Sequence, residues 1–410
     1  MKNIVILGGN FAGVSTAHYL LRHVLPSLHS TGGASSAYKV TLVSPSDHTY
    51  FKISAPRVLI TDKLPIDLIF GSIPDAFSQY KSSEFSFIQG EAIGVDEVAK
   101  TVSIRGVGKG ETTSVQYDSL VIATGATAEP LWSLNGEHKA TIAALQDINR
   151  RLPKAKSILI AGGGPTGIET AAEIAFHYKV PDVTLLSGTS RLLSRLQNAN
   201  VPRKAEQQLS ALNVKVVHNV RVVSETQVEG GTKTALKLSD GRIRVVDIYL
   251  NATGGKPNTS FLPDSWLDDA KKFVATESMT LRALKAPAGV YCIGDAASYS
   301  KGGIPDALWA VPALGFSIWC DIQGDGASGA NGGEKMQSIS ATSTKSRALK
   351  EKRYKQIQSD MQVVPVGPKG GVGSVFGWSV PSWIVWLLKS RTFGLEKAAE
   401  LVTGSQFLKP

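Results

Sequence analysis

Two short glycine-bearing turns carry the residues best suited to chemistry. The first, Gly8-Gly9-Asn10-Phe11-Ala12-Gly13, follows the apolar run Asn3 to Leu7, and the second, Gly162-Gly163-Gly164-Pro165-Thr166-Gly167, follows Ser157 to Ala161. A G-x-G-x-x-G turn between a strand and a helix lets a dinucleotide pyrophosphate approach the backbone, where free N–H groups and the positive helix end attract it. The second turn has the full pattern in Gly162, Gly164 and Gly167, whereas the first has Asn10 in the middle. Asn tolerates left-handed backbone better than most residues, so the turn is expected to survive with a less assured phosphate approach. One such turn is weak evidence. Two, each in strand, turn, helix context, leave unrelated glycine turns a minor explanation.

The other chemistry-bearing residues are carboxylates, hydroxyls and cations. Asp295, after Gly294, suits hydrogen bonds from sugar-alcohol hydroxyls and equally suits a helix N-cap before Ala296-Ala297. Neither unit has the ribose-binding acid expected where its second strand ends. Val43 is followed by Ser44-Pro45-Ser46, with Asp47 only beyond, which leaves Ser44 or Ser46 as neutral partners. Leu186 is followed by Ser187-Gly188-Thr189-Ser190-Arg191, where Ser187, Thr189 and Arg191 suit a 2′-phosphate; the competing reading is a solvated loop that carries an arginine. Glu169 and Glu173 share a face at the start of the second helix, a placement that electrostatics alone favours. Lys52, Arg57 and Lys389 are cations able to stabilise an anion formed during a reaction, although isolated cations are usually solvated. No metal-ligand set is expected.

The elements that must position these residues form a tandem repeat. A helical pattern with Val14, Ala17, Leu20, Leu21 and Val24 on one face follows the first turn, and Val40 to Val43 completes a βαβ unit after a polar loop, His29 to Ser36. The grammar returns as Ser157 to Ala161, a helix through Ile174 and a strand at Val183 to Leu186. Each unit later carries Ala-Thr-Gly, at Ala123-Thr124-Gly125 and Ala252-Thr253-Gly254. The chain of 410 residues is long enough for two or three cores, and its 42% hydrophobic and 19% charged content excludes collagen-like and wholly disordered classes. Cys292 and Cys320 are far apart in sequence, which excludes a reductase built on neighbouring thiols. Segment 323–347 is dominated by Gly, Ser, Ala and Thr and reads as a flexible insertion.

At Tyr117 to Gly125, Ala252 to Asn258 and Val290 to Asp295 the sequence resembles the two-dinucleotide-binding-domain flavoproteins, and within them the ferroptosis suppressor protein and apoptosis-inducing-factor-like NAD(P)H:quinone oxidoreductases. Its tail, with Val366 to Gly373 and Leu388-Lys389-Ser390-Arg391, fits the same subgroup. The resemblance implies an α/β fold of two Rossmann-like domains, glutathione-reductase-like, with a small C-terminal unit. It implies FAD on the first domain (1–135 and 270–325), NADH or NADPH on the second (140–265), and a unit at 348–410 closing over the flavin. It further implies Asp295 on the ribityl chain, Arg57 near the flavin, Ala92 at the adenine end, Glu169 beside the nicotinamide and Lys389 at the flavin or a quinol oxygen.

A redox step on a biosynthetic intermediate would use the same sites. The net charge of +10 also raises nucleic-acid binding, but the cations are scattered, with the densest run at Arg347, Lys350, Lys352, Arg353 and Lys355, read as a solvated helix face. The start, Met1 to Leu7, is too short in its apolar run for a signal peptide, and no segment reaches the ~18 apolar residues that span a bilayer. A cytoplasmic protein is expected, with peripheral membrane contact through the tail, where Trp378, Trp383 and Trp386 gather. The other reading of that tail is buried core. Oligomeric state, nucleotide preference and acceptor stay open.

Overall fold

The computed structural model describes residues 1–30, 38–108, 110–228, 230–324 and 349–409. Most of the polar loop 29–36 and almost all of the insertion 323–347 therefore lie outside the described residues.

Apolar, β-branched runs bounded by glycine form a seven-stranded sheet in the order Val290–Cys292, Ser119–Ile122, Lys2–Leu7, Tyr38–Ser44, Phe85–Asp96, Thr101–Gly106, Thr112–Gln116. The first five are parallel, all but Phe85–Asp96 largely buried, while the last two continue as an antiparallel ribbon. The second unit repeats the plan with four parallel strands, Val214–His218, Asp182–Ser187, Ser157–Ala161 and Ile248–Asn251. An antiparallel ribbon, Val222–Gln227, Thr234–Leu238 and Ile243–Val246, is appended. A two-stranded pairing of Lys256–Pro257 with Ala126–Thr127 ties the units together.

The helix after the second turn runs Pro165–Tyr178, one turn beyond the expected Ile174, and its face of Ile168, Ala171, Ala172 and Ile174 is fully buried. The tail forms a small sheet, Gln362–Pro365, Gly371–Val375 and Trp378–Ser379, then helix Ser382–Val385, a π-helical turn Trp386–Ser390 and helix Glu396–Thr403. The basic run is not a helix: its described part lies in the irregular segment 349–361, held by Tyr354, whose hydroxyl donates to Asp306 at 2.6 Å. The tryptophans of the tail are not core either. Trp378 is 79% and Trp383 63% exposed, and Leu387 and Leu388 are exposed beside them.

Candidate active site

The two turns close in the same way. Gly8 and Gly162 have φ of +112° and +128°, and a Cβ on either would meet the carbonyl oxygen of Ala123 or Ala252 at 2.3 Å. A Cβ on Gly13 or Gly167 would strike the carbonyl oxygen of Gly8 or Gly162, at 1.7 and 1.9 Å. Each Ala-Thr-Gly is thus the lid against which its glycine turn closes, which explains why both recur together. Asn10 departs from expectation: its φ is −125°, so left-handed tolerance is not why it is there. Its side chain instead exchanges two 3.2 Å bonds with the backbone of Tyr50, leaving the helix start open.

Both turns face one cleft of about 2660 Å³, lined from both units and the tail. Such a volume exceeds that of an ordinary small-molecule pocket severalfold and suits two dinucleotides. Gly9, Phe11 and Ala12 line it with Gly8 and Asn10, as do Ser44, Ala92, Ala123, Thr124 and Gly125. On the other side stand Gly162, Gly164, Ser187 and Glu169, and Gly294, Asp295 and Lys389 complete the wall. A Cβ at Gly164 would meet nothing within 4 Å, so that backbone is open to a ligand. The residues therefore fit two dinucleotides, one on each glycine cradle. Asp295 sits inside the turn Gly294–Ala296, two residues past its cap at Ile293, and its carboxylate lies 3.8 Å from the Lys52 ammonium.

Arg57 is placed elsewhere. It does not line the cleft; its guanidinium grips the fully buried Glu173 carboxylate at 2.5 and 3.1 Å and donates to the Ser390 carbonyl at 3.0 Å. It joins the first unit, the Pro165–Tyr178 helix and the tail, because a buried carboxylate needs such a partner. Glu169, one turn earlier on that helix, meets Lys389 Nζ at 2.5 Å. Two residues read separately from sequence are thus one ion pair in the cleft wall. Burial pushes the Glu169 carboxyl above the usual carboxylate range; Lys389 opposes that shift and Glu173 adds to it.

Arg191 also turns away from the cleft, donating to the carbonyls of Ser194 and Leu196 at 3.1 and 2.6 Å. The Ser187 hydroxyl is engaged within its own loop, bonded to Thr189 and the Arg191 carbonyl. Two other arginines, Arg195 and Arg221, line the cleft near this loop, and Arg221 donates to the Gly188 carbonyl at 3.3 and 3.2 Å. A Cβ on Gly188 would meet Arg221 Nε at 2.7 Å, so this glycine makes room for it. The sequence signal was available, since Arg221 follows the third parallel strand and must lie beside the end of the second. The irregular segment 354–361 was also missed; it lines the cleft, and Asp360 fixes it by accepting from the backbone N–H groups of Gln197 and Asn198 at 3.0 and 2.9 Å.

Two glycine cradles on one cleft, an acid at the Gly-Asp turn and no vicinal thiols define a flavin-dependent NAD(P)H oxidoreductase. The chain belongs to the pyridine nucleotide-disulphide oxidoreductase family, whose model matches residues 2–313; it binds FAD and uses NAD(P)H. It is 34% identical over 429 aligned residues to oxidoreductase phnG of Penicillium herquei, covering 100% of this chain and 97% of that protein. It is 25% identical over 301 residues to ferroptosis suppressor protein 1 of Xenopus tropicalis, covering 72% and 74% of the two chains. The water-forming NADH oxidase from Lactobacillus brevis, solved with NADH, shares its fold with a TM-score of 0.63 at 18% identity, over 78% of this chain and 69% of that one. The disulphide of the family name has no counterpart among the described residues. Cys292 is buried in a strand, Cys320 lies on the helix Val311–Gln323, and neither lines the cleft.

Proposed function

We propose that the protein passes electrons from NAD(P)H to a quinone-type acceptor, with Lys389 and Glu169 supplying the proton the hydride does not bring. FAD, when bound, supplies the hydride acceptor and the two-electron store. NAD(P)H, one proton and a quinone give NAD(P)⁺ and a quinol, so one proton must enter through the protein. The ion pair at 2.5 Å carries this reading: an ammonium donor and a carboxyl raised by burial share a proton at the cleft wall, reachable because Lys389 lines the cleft. The same contact weakens a purely electrostatic role for Lys389, since Glu169 neutralises much of its charge. The quinone assignment is supported by the resemblance to quinone reductases, by the lack of a vicinal cysteine pair and by the apolar tail beside the cleft mouth, where Leu388 is both exposed and cleft-lining.

Stopped-flow measurement of the two half-reactions tests it. In Lys389→Met, reoxidation by a short-chain quinone should slow by about 100-fold, while reduction by NAD(P)H changes little. Reoxidation at the wild-type rate across the pH range would remove the pair from proton supply.

A further inference from the structure

A second cluster of reactive side chains lies outside the ion pair and the glycine cradles. Asp47 follows the strand Tyr38–Ser44, His48 opens the strand His48–Tyr50, and His138 opens the helix His138–Arg151. Asp47 Oδ1 lies 2.8 Å from His48 Nδ1 and 3.1 Å from His138 Nδ1, and one ligand atom of each residue falls within 4.8 Å of the others. Tetrahedral bonds of about 2.0 to 2.2 Å to a metal ion place neighbouring ligand atoms about 3.3 to 3.6 Å apart, so these groups need to open by only about half an ångström. His138 Nδ1 is a buried nitrogen with no hydrogen-bond partner, despite its distance from Asp47. The His48–Asp47 hydrogen bond leaves that nitrogen unsatisfied, and a metal ion would satisfy it.

We propose that Asp47, His48 and His138 form a binding site for a divalent transition-metal ion of the zinc type, which pins the helix His138–Arg151 to the loop after Ser44. Two imidazoles and one carboxylate are a borderline-hard ligand set that zinc accepts, with water in the fourth position. Water has access, since Asp47 is 35% and His48 28% exposed. The corner is built before any ion arrives. The Ser46 hydroxyl accepts from His48 N–H at 3.0 Å and donates to the His48 carbonyl at 2.8 Å, while Ile73 N–H donates to the Asp47 carbonyl at 2.8 Å. The two imidazole rings lie 3.9 Å apart at 32°, side by side at this corner. Ser46 and Glu137, each one residue before a ligand, line the cleft. The ion would therefore fasten two stretches of cleft wall that are remote in sequence. Its role is structural, because no ligand itself lines the cleft.

Titration calorimetry of the full-length, flavin-loaded protein with Zn²⁺, after chelator treatment, tests the site. The wild type should take up one equivalent and its melting temperature should rise with the metal. His138→Ala and, as a gentler change, His48→Gln should each weaken binding by about tenfold or more and abolish the thermal shift while keeping flavin content. No stoichiometric uptake by the wild type, or equal uptake by folded variants, overturns the proposal and leaves a His48–Asp47 hydrogen bond with His138 beside it.

Discussion

Lys389 and Glu169 come from segments 220 residues apart and share a hydrogen bond of 2.5 Å. Each was legible in the sequence as a residue type in a family-like motif; their contact was not, because nothing local reveals which helix a tail will cross. The same limit misplaced Arg57 and Arg191. An arginine in a motif reads as a ligand group, yet Arg57 is consumed by the buried Glu173 and Arg191 by carbonyls of its own loop. Arg221, which lines the cleft beside Gly188, is the residue we propose for nucleotide selection. Arg221→Ala should raise the Michaelis constant for NADPH by about tenfold, in keeping with the loss of a charge-assisted bond of about 1.5 to 3 kcal/mol, and leave that for NADH nearly unchanged. Arg191→Ala should alter both nucleotides alike. Steady-state kinetics with the two nucleotides decide, and equal losses in Arg221→Ala would contradict the assignment.

At the scale of elements, the tandem units were readable because both hydrophobic period and turn chemistry are local. The strands Tyr38–Ser44 and Asp182–Ser187 extend the expected runs by only a few residues. The antiparallel ribbons and the packing of the tail were not readable, since they rest on contacts between distant segments. The last helix docks through His18 of the first helix, whose ring is fully buried, stacks on Phe77 at 4.0 Å and contacts Tyr80 OH at 3.0 Å and the Val402 carbonyl at 2.8 Å. Burial lowers its pKa from 6.5 to about 4. A depressed histidine stabilises the fold above its unfolded pKa, and the contribution is lost as pH falls through 6.5 toward 4. The loss amounts to roughly 3 kcal/mol at the acid end. Thermal melts from about pH 7 to about pH 4 should show a steeper fall for the wild type than for His18→Gln. Parallel curves would mean that the docking does not depend on a neutral His18.

For the whole molecule, the tail lines the cleft with Lys389 and leaves Trp378, Trp383, Trp386, Leu387 and Leu388 exposed. Composition predicted the cluster but not its direction. No helix among the described residues is long and apolar enough to cross a membrane. We propose, from the exposure of these tryptophans alone, that they meet a water–lipid interface. Arg391, over the Trp386 ring at 5.8 Å, adds a cation suited to anionic headgroups. The wild type should float with anionic vesicles and the double variant Trp383→Ser, Trp386→Ser should not; a wild type that stays in the soluble fraction would contradict membrane docking. Docking at a membrane matters only if electrons cross the cleft as proposed. The most direct test is an anaerobic titration of the purified yellow protein, first with NADPH or NADH and then with a short-chain quinone. The account predicts bleaching of the flavin absorbance by one equivalent of nucleotide and its full return with one equivalent of quinone, with quinol formed in the same amount. A flavin that does not bleach, or that stays bleached when quinone is added, would contradict it.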